Sequence, residues 1–116
     1  MNSDFKNLRA YQLSRAVAAE VHRAVRLWSV FDQRTVGVQL VRAADSIGAN
    51  IAEATGRWHQ ADQRRLLFIA RGSVRETEHW LLLAHERGLF SADARVPLEE
   101  LARTLSGLIK RRESSL

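Results

Sequence analysis

Apolar residues recur at three- and four-residue intervals along almost the whole chain, which is the signature of amphipathic helices. Four segments are predicted, over about 7–28, 35–54, 60–87 and 97–112. In the first, Leu8, Tyr11, Val17, Val21, Ala24, Val25 and Trp28 keep the helical period. Arg9, Arg15, Glu20, Arg23 and Arg26 lie largely on the other side. The pattern breaks over 29–34, and Asp32 or Thr35 is placed to cap the second helix. That helix has its seam at Leu40, Ala44, Ile47, Ile51 and Ala54. Gly37 and Gly48 each cost it about 1 kcal/mol of intrinsic helicity relative to Ala. A helix that carries such a cost is expected to gain close packing at Gly48. Gly56 is the expected C-terminal cap.

The third helix carries two neighbouring seams. Leu67, Ala70, Val74, Leu81 and Ala84 form one; Leu66, Ile69, Ser73, Glu76, Trp80 and Leu83 form the other. A stripe that wide predicts a central, broadly buried helix that stops at Gly88. Pro97 suits the first turn of the fourth helix, whose face is Leu98, Leu101, Leu105, Leu108 and Ile109. A polar tail runs from Arg111 to Leu116. Four helices with short connections predict an all-α, antiparallel up-down four-helix bundle forming one domain over 1–116. No internal repeat or low-complexity stretch stands out.

One segment departs from ordinary helix chemistry. Ala44-Asp45-Ser46-Ile47-Gly48-Ala49-Asn50-Ile51-Ala52-Glu53 alternates small residues with polar ones. Small side chains let helices approach closely, and polar groups buried there need partners. Ser46, Asn50, Glu53 and Arg57 fall on one stripe of a regular helix, and Ser73 and Glu76 sit among apolar residues of the next. Ser46, Asn50, Glu53, Ser73 and Glu76 are therefore read as a structural polar network between helices or between subunits. A ligand pocket is the alternative. Arg42, Arg71 and Arg75 are candidates to neutralise the two glutamates, and the spacing does not choose among them.

Charge and composition narrow the function. The net charge is +5, and 16 of the 18 basic residues are Arg. Guanidinium groups bind phosphate in a bidentate way, which suits nucleic acid, and codon bias with solvated basic helix faces is the alternative reading. Arg57, Trp58, His59, Arg64 and Arg65 crowd one turn. There Trp58 either stacks on a base while the arginines meet phosphates, or folds over the end of the core. Arg57, Trp58, Arg64 and Arg65 are the candidate nucleic-acid-binding residues. The chain has no cysteine, which excludes disulfides and thiolate metal sites. Apolar runs such as Trp80 to Ala84 are too short to cross a bilayer, and its polar N-terminal residues lack the apolar core of a signal peptide. A cytoplasmic protein without membrane contact is expected. Glu76-x-x-His79 has the spacing used in di-iron bundles, but those sites need two copies. Neither a nucleophile elbow nor a phosphate-loop spacing is present. No metal, no cofactor and no enzymatic activity are expected.

Taken together, three stretches carry a resemblance. They are Phe5-Lys-Asn-Leu8 with Tyr11-Gln-Leu13, then Gln39 to Glu53 with Gly56-Arg57, then Phe68-Ile-Ala-Arg-Gly-Ser-Val-Arg-Glu76 with Glu78 and Leu82. The pattern resembles the bacterial four-helix-bundle family of proteins encoded in intervening sequences of 23S ribosomal RNA genes. That family also takes in the accessory variability proteins of diversity-generating retroelements. The likeness runs from about Phe5 to Ile109, with Ala54 where the family usually has Gly. It implies a ring-like homopentamer without catalytic residues. Retroelement relatives bind nucleic acid and a reverse transcriptase through a basic surface. A head-to-tail ring buries two different faces of each subunit. Five copies at +5 each carry +25, which makes weak phosphate contacts collectively strong. The function expected is RNA binding, or binding of an RNA-containing complex, through arginines on an assembled surface. The alternative is a scaffold for an acidic protein partner such as a reverse transcriptase.

Overall fold

The computed structural model describes residues 4–91 and 96–113. The connection predicted over 89–96 and the tail predicted over 111–116 lie partly outside them. A single turn at Phe5–Asn7 leads into α1 (Arg9–Val25). A helical turn at Val30–Asp32 and a π-helical turn at Gln33–Gly37 then run into α2 (Val38–Thr55). α3 (Gln60–Glu86) and α4 (Leu98–Glu113) complete an all-helical domain with no strand among the described residues.

Successive helices pack side by side, and α1 also touches α4. Ser14 lies against Gly48 and Val25 against Gly37, so α1 and α2 run antiparallel. Arg71 reaches Ser106 and Arg112 reaches Gln63, so α3 and α4 do too. The bundle is elongated, 48 × 20 × 19 Å. Its core is the predicted one: Val17 and Val21 from α1, Leu40, Ile47 and Ile51 from α2, Leu67 and Val74 from α3, and Leu101 and Leu105 from α4 are each almost fully buried. Each such side chain contributes on the order of 1.5–3 kcal/mol by leaving water. An ion pair between Arg9 and Glu100 (2.9 Å) ties the first turns of α1 and α4 together.

Three details differ from the sequence reading. α1 ends at Val25 and not Trp28, because Trp28 turns inward and donates its indole N–H to the Leu89 carbonyl (3.0 Å). The cap of the segment after α1 is Ser29, whose hydroxyl accepts from the Asp32 amide (3.2 Å), and neither Asp32 nor Thr35 caps it. The second seam of α3 is only partly covered. Ser73 is buried and Trp80 and Leu83 are half-buried, whereas Ile69 is 43% exposed and Glu76 faces solvent. α3 packs chiefly against α2 and α4, with a smaller contact to the π-helical turn, and these neighbours do not cover a stripe that wide.

The glycines separate into two kinds. A methyl group on Gly48 would stand 2.7 Å from the Ser14 hydroxyl, and one on Gly37 would stand 2.9 Å from a Val25 methyl. At both places the backbone lies too close to α1 to admit a side chain without a shift. Gly88, at φ +73°, ends α3: the Leu89 amide returns to the Ala84 carbonyl (2.8 Å) and the Gly88 amide to that of His85 (3.0 Å).

Candidate functional site

The polar stripe divides into separate sets. Ser46 and Ser73 share a hydroxyl–hydroxyl bond (2.9 Å) across the α2–α3 contact. Asn50 donates its amide to both the Ser46 carbonyl (2.8 Å) and the Ser46 hydroxyl (3.1 Å). The Thr77 hydroxyl, fully buried, donates back to the Ser73 carbonyl (2.7 Å). Ser46, Asn50 and Ser73 are thus one satisfied cluster within the bundle. Glu53 and Glu76 do not join it. Glu53 accepts from the Arg57 guanidinium one turn away (2.6 Å), and Glu76 accepts from the Trp80 indole (3.1 Å). Arg42 and Arg75 neutralise neither glutamate: Arg75 approaches Glu78 (4.0 Å). Arg71 donates to Ser106 (3.3 Å) with its guanidinium over the Phe68 ring. Partners four residues apart along a helix and its terminal turn lie side by side, which explains why the glutamates pair locally.

The Glu76–His79 spacing gathers no metal site. The Glu76 carboxylate is turned to Trp80, and the His79 ring sits edge-on to the same indole at 4.7 Å. Among the described residues no three His, Asp or Glu side chains converge as metal ligands. No described helix is long and apolar enough to cross a membrane.

The α2–α3 turn is built differently. α2 stops at Thr55 because Gly56, in ordinary right-handed geometry, closes the last turn with its amide on the Ala54 and Glu53 carbonyls. Arg57, Trp58 and His59 then cross to Gln60. Trp58 is 90% exposed, so it does not fold over the core. Arg57 is held by Glu53, and that hydrogen bond, with the carboxylate charge, raises its guanidinium pKa above the ordinary value. Arg65 sits 3.7 Å from Asp62. Arg64 is half-buried, and its Nη1 is closed off from water with no acceptor among the described residues. It is the least available of the four candidates.

One contributor has no signal in the sequence. Gln63 donates its amide to the Arg57 carbonyl (2.7 Å) and accepts from the Arg112 guanidinium (2.9 Å). Arg112 also donates to the Leu108 carbonyl (3.0 Å). The last turn of α4 is thereby fastened to the Arg57–Trp58 turn. Burial, and then the neighbouring Arg111 charge, push the Arg112 guanidinium below its ordinary pKa. Lys110, Arg111 and Arg112 stand in the last turn of α4, where cations are favoured. Only the packing of α4 on α3 brings Arg112 to the turn.

Residues 6–111 match the family of 23S rRNA-intervening sequence proteins. No match is found among curated proteins. Among solved structures, the chain is similar to a protein of unknown function from the S23 ribosomal protein family of Bacteroides thetaiotaomicron. The two are 26% identical, over 90% of this chain and 95% of that one, with a TM-score of 0.65. This four-helix chain belongs to the 23S rRNA-intervening sequence protein family.

Proposed function

We propose that this protein is a non-enzymatic, homo-oligomeric RNA-binding bundle whose contact surface is the α2–α3 turn. One observation carries the reading: an indole 90% exposed stands between Arg57 and α3, at a turn that Gln63 ties to Arg112. An exposed aromatic ring beside guanidinium groups suits an unpaired base stacked next to its own phosphates. The ion pairs of Arg57 and Arg65 do not remove them from such a role, because exposed pairs are weak and exchange readily for phosphate. Oligomerisation supplies avidity. Phe68, Ile69 and Leu82 leave apolar surface on α3 that a single bundle does not cover. A ring of several copies would bury some of it and repeat the basic turn around its circumference.

The test is a titration of the purified protein into labelled single-stranded RNA, hairpin RNA and duplex DNA at two salt concentrations. Binding should prefer unpaired RNA, weaken steeply with salt, and fall about tenfold in Trp58→Ala, since base stacking is worth on the order of 1–3 kcal/mol. Absence of binding at low salt, or binding indifferent to both salt and Trp58, would overturn the proposal. Light scattering on a sizing column tests the assembly, and a monomer at micromolar concentration would remove the avidity argument.

A further inference from the structure

The α1–α2 corner, distant in sequence from the proposed RNA surface, has features that RNA binding does not use. A groove of about 410 Å³ runs between the last turns of α1 and the start of α2. Val25, Gly37, Val38 and Val41 form its apolar floor and wall, and His22, Arg26 and Arg42 stand at its rim. Val38 and Val41 are half-exposed, and the preceding helical turn leaves Val30 and Phe31 59% and 75% exposed.

This surface is rigidly built. The Gln33 amide donates to the Val25 and Arg26 carbonyls (3.1 and 3.0 Å). Ser29 caps the turn below it, and Trp28 is fixed to Leu89. Gly37 seats α2 directly against Val25. Single π-helical turns are frequent at functional sites in proteins generally. The corner therefore presents its valines in fixed positions, without the ordering entropy a flexible loop would lose on binding.

Its charge is one-sided. Arg26, Arg34 and Arg42 are exposed, and among the described residues no carboxylate lies within ion-pair distance of any of them. No Asp or Glu lines the groove. Of the neighbouring acids, Glu20 pairs with Arg23 and Asp32 accepts from Ser29, while Asp45, one turn beyond Arg42, lies outside the groove lining and makes no ion pair with Arg42.

We infer that the α1–α2 groove is a docking site for an acidic amphipathic helix of a partner protein. Aliphatic walls desolvate favourably only against apolar side chains, and valine offers no ring for a base, which sets nucleic acid aside here. The unpaired arginines supply the complement for carboxylates flanking that apolar stripe. The groove spans residues 33–42 of its second wall, about 14 Å of helix, which accommodates roughly two to three turns of a ligand.

The probe is a fluorescein-labelled 14-residue helical peptide with leucines at i, i+3, i+4 and i+7 and glutamates on both flanks. A second peptide carries lysines in place of the glutamates. Titrated by anisotropy into the full chain, the acidic peptide should bind and the basic one should not. Val41→Glu and the double variant Arg26→Glu/Arg42→Glu should each weaken the acidic peptide about tenfold or more. The charge-reversed double variant should gain the basic peptide, a result that misfolding cannot produce. Trp58→Ala should leave peptide binding unchanged, which separates this site from the RNA surface. Equal binding of both peptides, or indifference to Val41→Glu, would overturn the inference. So would a fall in oligomer mass on Val41→Glu without peptide binding to the wild type, because the groove would then belong to a second copy. Competition by RNA for the acidic peptide that persists undiminished in Trp58→Ala would assign the groove to nucleic acid instead.

Discussion

Gly48→Ala should destabilise the protein, although alanine is the better helix former. The substitution gains about 1 kcal/mol of helix propensity. It also places a methyl 2.7 Å from the Ser14 hydroxyl oxygen. Relief requires the backbones of α1 and α2 to part or Ser14 to change rotamer. The first carries an overpacking cost of about 1–3 kcal/mol. The second breaks the bond from Ser14 to the Tyr11 carbonyl (2.6 Å) in a site where Ser14 is almost wholly buried, at about 1–3 kcal/mol. The balance is a net loss of about 1 kcal/mol, or roughly 4 °C in melting temperature for a chain of this size. Gly72→Ala is the control: nothing lies within 4 Å of the added methyl, so only the helix gain remains, about 0.4–1 kcal/mol of stabilisation. Urea unfolding followed by far-ultraviolet circular dichroism measures both, at one fixed protein concentration because self-association would shift the midpoint. A cycle with Ser14→Ala isolates the contact. With the hydroxyl removed, the nearest remaining atoms are at 3.5 and 3.6 Å, an ordinary contact distance, and Gly48→Ala should become stabilising. The coupling should be about 1–2 kcal/mol. If Gly48→Ala stabilises as Gly72→Ala does, or the coupling vanishes, the close approach of α1 and α2 is not what holds glycine at this position.

Trp28→Phe should cost about 1 kcal/mol by removing the indole bond to Leu89, read as a lower urea midpoint with an unchanged slope. Glu53→Gln should strengthen RNA binding a few-fold by releasing Arg57 while leaving the unfolding midpoint in place; weaker binding would count against Arg57 as a phosphate contact. Asn50→Leu should reduce stability and assembled mass more than Arg64→Ala does, because it strips Ser46 of its local partner; equal losses in light scattering would contradict a structural role for the Ser46–Asn50–Ser73 cluster.

The core of this bundle is legible in the sequence because its seams keep a single period. Leu40, Ala44, Ile47, Ile51 and Ala54 are all buried, as their spacing requires. Gly48 is legible as a packing residue because its helical cost needs an offset. What periodicity does not supply is the number of neighbours. Ile69 and Trp80 share a seam with Leu66, yet the seam's burial depends on where α2 and α4 end up lying. The partners of Glu53 and Glu76 are equally hidden, since several donors sit at suitable spacings and only side-chain geometry selects Arg57 and Trp80. Arg112 escapes for a third reason: its link to the turn is Gln63, 49 residues away in sequence and without a charge signal. The α1–α2 corner is opaque because a π-helical turn has no simple residue code, and a period of 3.6 fails across it.

That turn has a consequence for how the second helix keeps phase. Carried back from Leu40 as a regular α-helix, the chain would put Gln33, seven residues earlier, on the same face and so in the core. Wider winding over Gln33–Gly37 takes up the angular excess, as a leap day corrects a calendar. Val36 still enters the core, while Gln33 is rotated onto the Val25 and Arg26 carbonyls at the end of α1. A polar side chain that would have been an error in one winding becomes, in the other, the terminator of the neighbouring helix.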